Sequence, residues 1–163
     1  MTGDPITMRP IGVIHSPHKQ VAGMPIQPAG ALGIPGTVEV YPAYQAGLAD
    51  LDGFSHIILI YAFHLSDSYE LTVTPFLDAE PRGLFATRAP RRPNPIGLSV
   101  VRLVSVEENL LHIENVDILD GTPLLDIKPS IPDFDHFESE RLGWYARHRR
   151  RVEEMRADQR FKE

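Results

Sequence analysis

Residues 83–97, GLFATRAPRRPNPIG, place three arginines among three prolines. Proline fixes φ and stiffens the backbone, so Arg88, Arg91 and Arg92 would lose less entropy on gripping an anion or a carboxylate than arginines on a loose loop. A rigid surface loop with exposed arginines is the competing reading of the same residues. A second chemical stretch, DILDGTPLLDIKP at residues 117–129, sets Asp117, Asp120 and Asp126 beside Lys128 on or next to apolar segments. Charged side chains in such places cost free energy unless they find partners. Ion pairing, for instance of Asp126 with an arginine of the first stretch, stands against a catalytic role for these carboxylates. Asp120-Gly121 also marks a tight turn, in which the Thr122 hydroxyl can add a hydrogen bond.

Other chemistries are excluded. With no cysteine there is no disulfide, thiolate metal site, iron–sulfur ligation or cysteine nucleophile. Of the histidines, His15 and His18 flank Pro17, His64 ends an apolar run and His112 lies in a hairpin, with no HxxxH or HExxH spacing. No metal site is expected. His64 stands out because a strand end reaches the mouth of a barrel, although a hydrogen-bonded strand-end histidine fits equally. Gly30, Gly33 and Gly36 match neither a dinucleotide fingerprint nor a P-loop, and they precede a strand where the fingerprint must follow one.

The elements that must position these residues are short. The chain of 163 residues has room for one domain, and 15 prolines, nearly twice the usual share of about 5%, imply many turns. Strands are expected at Ile11 to Ile14, Thr37 to Tyr41, His56 to Phe63, Leu84 to Thr87, Leu98 to Val106, Leu110 to Leu119 and Leu124 to Ile127, which is an all-β core. The polar bridge Glu107-Glu108-Asn109 is short enough only for an antiparallel hairpin. His56 to Phe63 is almost continuously apolar and reads as buried on both faces. A short helix is expected from Ala43 to Leu51, and a terminal helix from Glu138 onward, whose Arg147, Arg149, Arg150 and Arg151 form a basic stripe or an ordinary solvated face. Sixteen basic against twenty-two acidic residues give a net charge of −6, so any nucleic-acid contact must be local. There is no apolar run of about 18 residues to cross a membrane and no secretory pattern at the amino terminus, so a cytoplasmic protein is expected.

Taken together, GLFATRAPRRPNPIGLS and DGTPLLDIKP, with GVIHSP near the start and FSHIILIYAFH between them, resemble the TsaA-like family of tRNA methyltransferases over roughly Ile11 to Pro132. The resemblance implies a compact antiparallel β-barrel, assigned to residues 1–132, which leaves 133–163 as an extension that its own residues mark as helical. It implies a homodimer with S-adenosyl-L-methionine near the subunit interface, and methyl transfer to N6 of threonylcarbamoylated adenosine beside the tRNA anticodon. By motif, the cofactor contacts would be Gln27, Pro28, Ala29, His64, Leu65, Arg88, Leu98, Asp117, Asp120, Gly121 and Thr122. Arg91, Arg92, Asn94 and Lys128 would meet the RNA or the carboxylate of its modification, and Asp120 or Asp126 would take the proton. In-line methyl transfer needs alignment more than a covalent intermediate, so a cysteine-free site suffices. Two departures bear on the acceptor. Longer bacterial members carry a further carboxy-terminal domain where this chain has an arginine-bearing tail, and Ser130 stands where the family has an aromatic.

Overall fold

The computed structural model of the chain describes residues 3–149 and 154–158. Its strands are β1 (Gly12–His15), β2 (Pro35–Val40), β3 (His56–Ala62), the two-residue β4 (Thr72–Val73) and β5 (Arg82–Gly83), β6 (Ile96–Glu107), β7 (Leu110–Glu114) and β8 (Thr122–Pro129). Six of them close into a barrel in the order β1-β2-β7-β6-β3-β8, every pair antiparallel, and β4 pairs with β5 outside it. Closure leaves the barrel without a free edge, which short strands could not otherwise protect.

The inward rows follow the period of two. Ile57, Leu59 and Tyr61 of β3 face Leu124 of β8 and Val101 of β6 across a core that also takes Ile14, Val38, Leu111 and Ile113. Each aliphatic side chain so buried contributes roughly 1.5–3 kcal/mol. The expectation that β3 is buried on both faces is corrected: Ile58, Ile60 and Ala62 point outward and are half-buried. Leu124 and Ile127 both pack on the core although they are three apart, because the register skips Leu125 between the pairs Tyr61↔Leu124 and Ile60↔Asp126. A bulge of this kind re-aims side chains locally, here next to Tyr61.

The hairpin between β6 and β7 forms as expected, with Glu107 opposite Leu110 and Glu108 at φ 55. The turn at Asp120-Gly121 also forms, with Gly121 at φ 78 and Thr122 Oγ1 donating to the Leu119 carbonyl at 2.7 Å. It does not join neighbours: β7 lies between β2 and β6, and β8 between β1 and β3, so the segment from Asn115 to Gly121 crosses one end of the barrel. Leu84 to Thr87 is not a strand but a single 3-10 turn, Leu84–Ala86, closed by the Thr87 backbone amide and hydroxyl on the Leu84 carbonyl. The short helix is also of 3-10 type, as Pro42–Leu48 and Leu51–Gly53, divided where Asp50 takes φ 65.

The tail contains an α turn, α1 (Pro132–Asp135), and a 3-10 turn, Gly143–Arg147, rather than one continuous helix. Gly143 takes φ 55, and the Trp144 side chain and the Ala157 backbone bond to distant segments, tertiary contacts that override propensity. Within residues 154–158, Arg156 forms an isolated antiparallel bridge with Pro25. Arg150, Arg151 and Val152 of the expected helix lie outside the described residues.

Gly97 is the tightest point of the wall. A Cβ there would lie 2.2 Å from the Tyr61 ring, which leans across Gly97 to reach Ser99. Gly97→Ala is therefore expected to lose about 1–3 kcal/mol in urea denaturation, whereas Gly47→Ala, with open space around it, should stay close to wild type. Equal midpoints for the two variants would contradict this packing.

Candidate functional site

The arginine loop is rigid because it satisfies itself. Arg92 Nη1 donates to the carbonyls of Thr87 at 3.0 Å, Ala89 at 3.3 Å and Leu84 at 3.5 Å, and its guanidinium sits 5.7 Å from the Phe85 ring centroid. The Thr87 hydroxyl also accepts from the Ala89 amide at 3.3 Å. Arg92, which the resemblance places toward substrate, has its Nη1 engaged in holding the loop. Arg88, exposed and between these two anchors, reaches away to donate from Nη1 to Gln27 Oε1 at 2.9 Å. That bond joins two motif segments 61 residues apart.

Gln27 opens the 3-10 turn Pro28–Gly30, which packs beside β6. The tail fastens both loops. Trp144 Nε1 donates to the Ala86 carbonyl at 2.8 Å, and farther on Ala157 exchanges backbone hydrogen bonds of 2.8 Å with Gly23 and Met24. His148 lies 3.7 Å from Asp78, which pairs with Arg82 at 2.7 Å just before the arginine loop.

Behind Arg88, at the crossing segment, stands Asp117. Ser99 Oγ donates to Asp117 Oδ1 at 2.7 Å, and the Tyr61 hydroxyl lies 3.0 Å from Ser99 Oγ. An ionised carboxylate only accepts, and a serine hydroxyl has one proton, so with Asp117 charged the order must be Tyr61 to Ser99 to Asp117. Burial pushes the Asp117 carboxyl up to about 6, against the opposing pull of Ser99, its own backbone amide and the Arg88 charge. Burial, with the Asp117 charge second, pushes the Tyr61 hydroxyl well above the ordinary phenol range, so it stays a donor. The crossing segment is held from the residues that follow β1: Ser16 Oγ donates to the Ile118 carbonyl at 2.6 Å, and His18 Nε2 donates to the Val116 carbonyl at 2.8 Å.

The other expected residues divide in two. Gln27, Pro28, Ala29, Arg88 and Asp117 gather at this end of the barrel, and Leu98, the third residue of β6, faces outward and is 52% exposed. His64 and Leu65 follow β3 as exposed residues. Asp120 accepts from Lys19 at 2.6 Å and from the Ser16 amide at 3.0 Å, which hold its carboxyl below the ordinary range. Thr122 is buried and committed to the Leu119 carbonyl beside Gly121. Asp126 pairs with Lys128 at 2.8 Å on the outer side of β8, not with an arginine of the loop. Arg91 is half-buried and Asn94 exposed. Among the described residues no cluster of His, Asp and Glu could hold a metal ion, and no helix is long and apolar enough to cross a membrane. An open groove of about 530 Å³ runs elsewhere, outside β1, β2 and β7, and takes in only Asp120 of the expected site.

Sequence reasoning passed over Tyr61 and Ser99. The signal was present: in the inward rows Ile57, Leu59, Tyr61 and Gly97, Ser99, Val101, each has one polar tip in an otherwise apolar series.

Two predictions follow from this geometry. The Asp117 carboxyl titrates near 3.8 in an unfolded chain and near 6 when folded, so the folded state is favoured below pH 4 and loses that advantage as pH rises through 6. The cost of the ionised form reaches at most about 3 kcal/mol. Asp117→Asn should thus melt about 5 °C above wild type at pH 7.5, with the gap closing toward pH 4; a pH-independent gap would refute the burial cost. Trp144→Ala should cost about 1 kcal/mol and raise hydrogen exchange at residues 84–89 without loosening β3 or β8. Uniform loosening of the barrel would show that the indole does more than fasten the loop.

The chain matches the family model of the tRNA-methyltransferase O N-terminal domain over residues 13–136. A probable S-adenosyl-L-methionine-binding protein of Pyrococcus abyssi is 55% identical over 156 residues, 96% of this chain and 85% of its own length. A tRNA (adenine(37)-N6)-methyltransferase of Mus musculus is 37% identical over 135 residues, 77% of this chain and 31% of its own. The crystal structure of TrmO from Pseudomonas aeruginosa superimposes with a TM-score of 0.73 at 37% identity, covering 86% of this chain and 63% of that one. The chain therefore spans a little under two thirds of the solved protein and about a third of the mouse enzyme. With the barrel, both motifs and the domain match in agreement, the chain belongs to the family of the tRNA-methyltransferase O N-terminal domain.

Proposed function

We propose that the protein binds S-adenosyl-L-methionine at the barrel end marked by Arg88 and transfers its methyl group to N6 of threonylcarbamoylated adenosine beside the anticodon of tRNA. The observation that carries the reading is the Arg88 to Gln27 hydrogen bond, which joins the two loops that the family motifs designate and lies within electrostatic reach of half-buried Asp117. The donor set fits. A guanidinium suits the carboxylate of an amino-acid ligand, and exposed Leu65 and Leu98 offer apolar contact for a nucleobase. When bound, the cofactor supplies a methyl group on a positively charged sulfur. The residues present supply grip, alignment and a place for a proton.

The arginine-bearing tail supports an RNA acceptor, because Trp144 docks it on the arginine loop, with Arg147 and Arg149 exposed. Local cationic side chains can hold phosphate although the net charge is −6. Assembly as a homodimer belongs to the same proposal: Leu98, Val100 and Val104 leave an exposed apolar row along the outer face of β6, beside half-buried Ile58 and Ile60. A cytoplasmic place follows from the proposed substrate. A second reading, cofactor binding without turnover, draws support from relatives described only as binding proteins and from Ser130 in place of the family aromatic.

Calorimetric titration with S-adenosyl-L-methionine should show saturable binding, weakened about tenfold to a hundredfold in Arg88→Ala, the range for losing a hydrogen bond to a charged group. Label from the cofactor methyl should then appear in tRNA that carries the threonylcarbamoyl group but not the methyl. Binding without label in any RNA would favour the second reading, and no binding by the folded wild type would remove both.

A further inference from the structure

We propose that Asp117 is the proton acceptor of the methyl transfer, and that Ser99 and Tyr61 are positioning residues that keep its Oδ1 occupied so that the proton goes to Oδ2. The inference rests on the methyl-transfer reading and departs from the family motifs, which offer Asp117 only as a cofactor contact and pass over Tyr61 and Ser99.

The argument begins with the three aspartates of the second motif. Asp120 is tied to Lys19 at 2.6 Å and to the Ser16 amide, and Asp126 to Lys128 at 2.8 Å on the outside of β8. An ion-paired carboxylate at the surface is a poor proton acceptor, since protonation must first give up the pair. Among the described residues Asp117 has no lysine or arginine in an ion pair; its partner is a neutral hydroxyl at 2.7 Å. The titratable and charged groups that face it are Tyr61 from β3 and Arg88 from the arginine loop.

The chain of hydroxyls has a direction. If a proton settled on Oδ1, Ser99 would have to accept from it and donate to Tyr61, and the Tyr61 proton would lose its acceptor inside the barrel. Proton uptake is thereby confined to Oδ2. The wall is built to hold this arrangement, since Gly97 leaves room for the Tyr61 ring and the β8 bulge lies beside Tyr61. In the step, an N–H nitrogen of the acceptor attacks the sulfonium methyl. The N–C bond forms, the S–C bond breaks with its electron pair left on sulfur, and the N–H proton passes to Asp117 Oδ2, from which it returns to solvent. Burial raises the basicity of this carboxylate toward the working pH, where a general base is most effective.

The test combines turnover with a readout on the cofactor-free protein. In single-turnover assays with modified tRNA, wild type should show an acidic limb with a midpoint near 6. Asp117→Asn should lose about a hundredfold or more in rate and lose the limb, while its dissociation constant for S-adenosyl-L-methionine changes less than tenfold. Carbon-13 titration of the Asp117 carboxyl without cofactor should give the same midpoint, moved to higher pH in Ser99→Ala, because removing the hydroxyl removes a bond that favours the charged form. Ser99→Ala should move the kinetic limb with it. An Asp117→Asn variant that keeps its rate and limb overturns the proposal, as does a kinetic limb that stays fixed while the carboxyl titration shifts. Failure of wild type to bind cofactor or label RNA would remove the functional reading itself. The carboxyl titration would still report whether the hydroxyl chain governs Asp117.

Discussion

A carboxylate can stand against the end of an apolar barrel only if other polar groups are brought there to receive it. Asp117 is such a group, and much of the local architecture reads as a response to it. Ser99 interrupts an inward row to donate a hydrogen bond, Tyr61 supplies the next donor, and Gly97 gives up its side chain so that the phenol ring can pass. The closed strand order makes this possible, because β3 and β6 are neighbours whose inward residues Tyr61 and Gly97 are directly paired. A neutral residue at 117 would need none of these accommodations. The higher cost of burying charge is therefore the kind of local penalty that functional sites carry against stability.

Around that constraint the loops are fixed by different means. The arginine loop closes on its own carbonyls through Arg92, the crossing segment is held by Ser16 and His18, and the Gln27 loop is fastened by backbone bonds from Ala157. Trp144 adds a link from the tail to Ala86. Arg88 is thus presented from a rigid base, which lowers the entropy lost when it grips a ligand. The tail has a structural use at the site whatever its part in RNA recognition, since it touches both loops that the Arg88 to Gln27 bond joins.

The barrel was legible because its signals are local. Short apolar stretches bounded by turn residues gave β1, β2, most of β6 and half of β8, the polar bridge at 107–109 gave the hairpin, and Asp120-Gly121 gave a turn with its hydroxyl bond. What was not legible depends on hydrogen bonds, near and far in sequence, that composition does not specify. Leu84 to Thr87 has a strand's composition but turns because the Thr87 amide and hydroxyl close it on Leu84. The tail has helix-forming residues but forms only short turns, and farther on the Ala157 backbone bonds to Gly23 and Met24. At the site, composition singled out the arginines and aspartates but could not sort them: Arg88 and Arg92 are four residues apart, yet one reaches Gln27 and the other holds its own loop. Tyr61 and Ser99 were hidden because a single polar residue in an apolar row looks like tolerance until the facing strand supplies its partner.

The central claim is that the cofactor sits at the barrel end where Arg88, Gln27 and Asp117 meet. Amide hydrogen exchange with and without S-adenosyl-L-methionine tests it most directly, because it reports place rather than affinity. The account predicts added protection at residues 27–30, 64–65, 84–92 and 117–122, with little change along β2 and β7. Protection confined to the groove outside β1, β2 and β7, with the Arg88 loop unaltered, would contradict it.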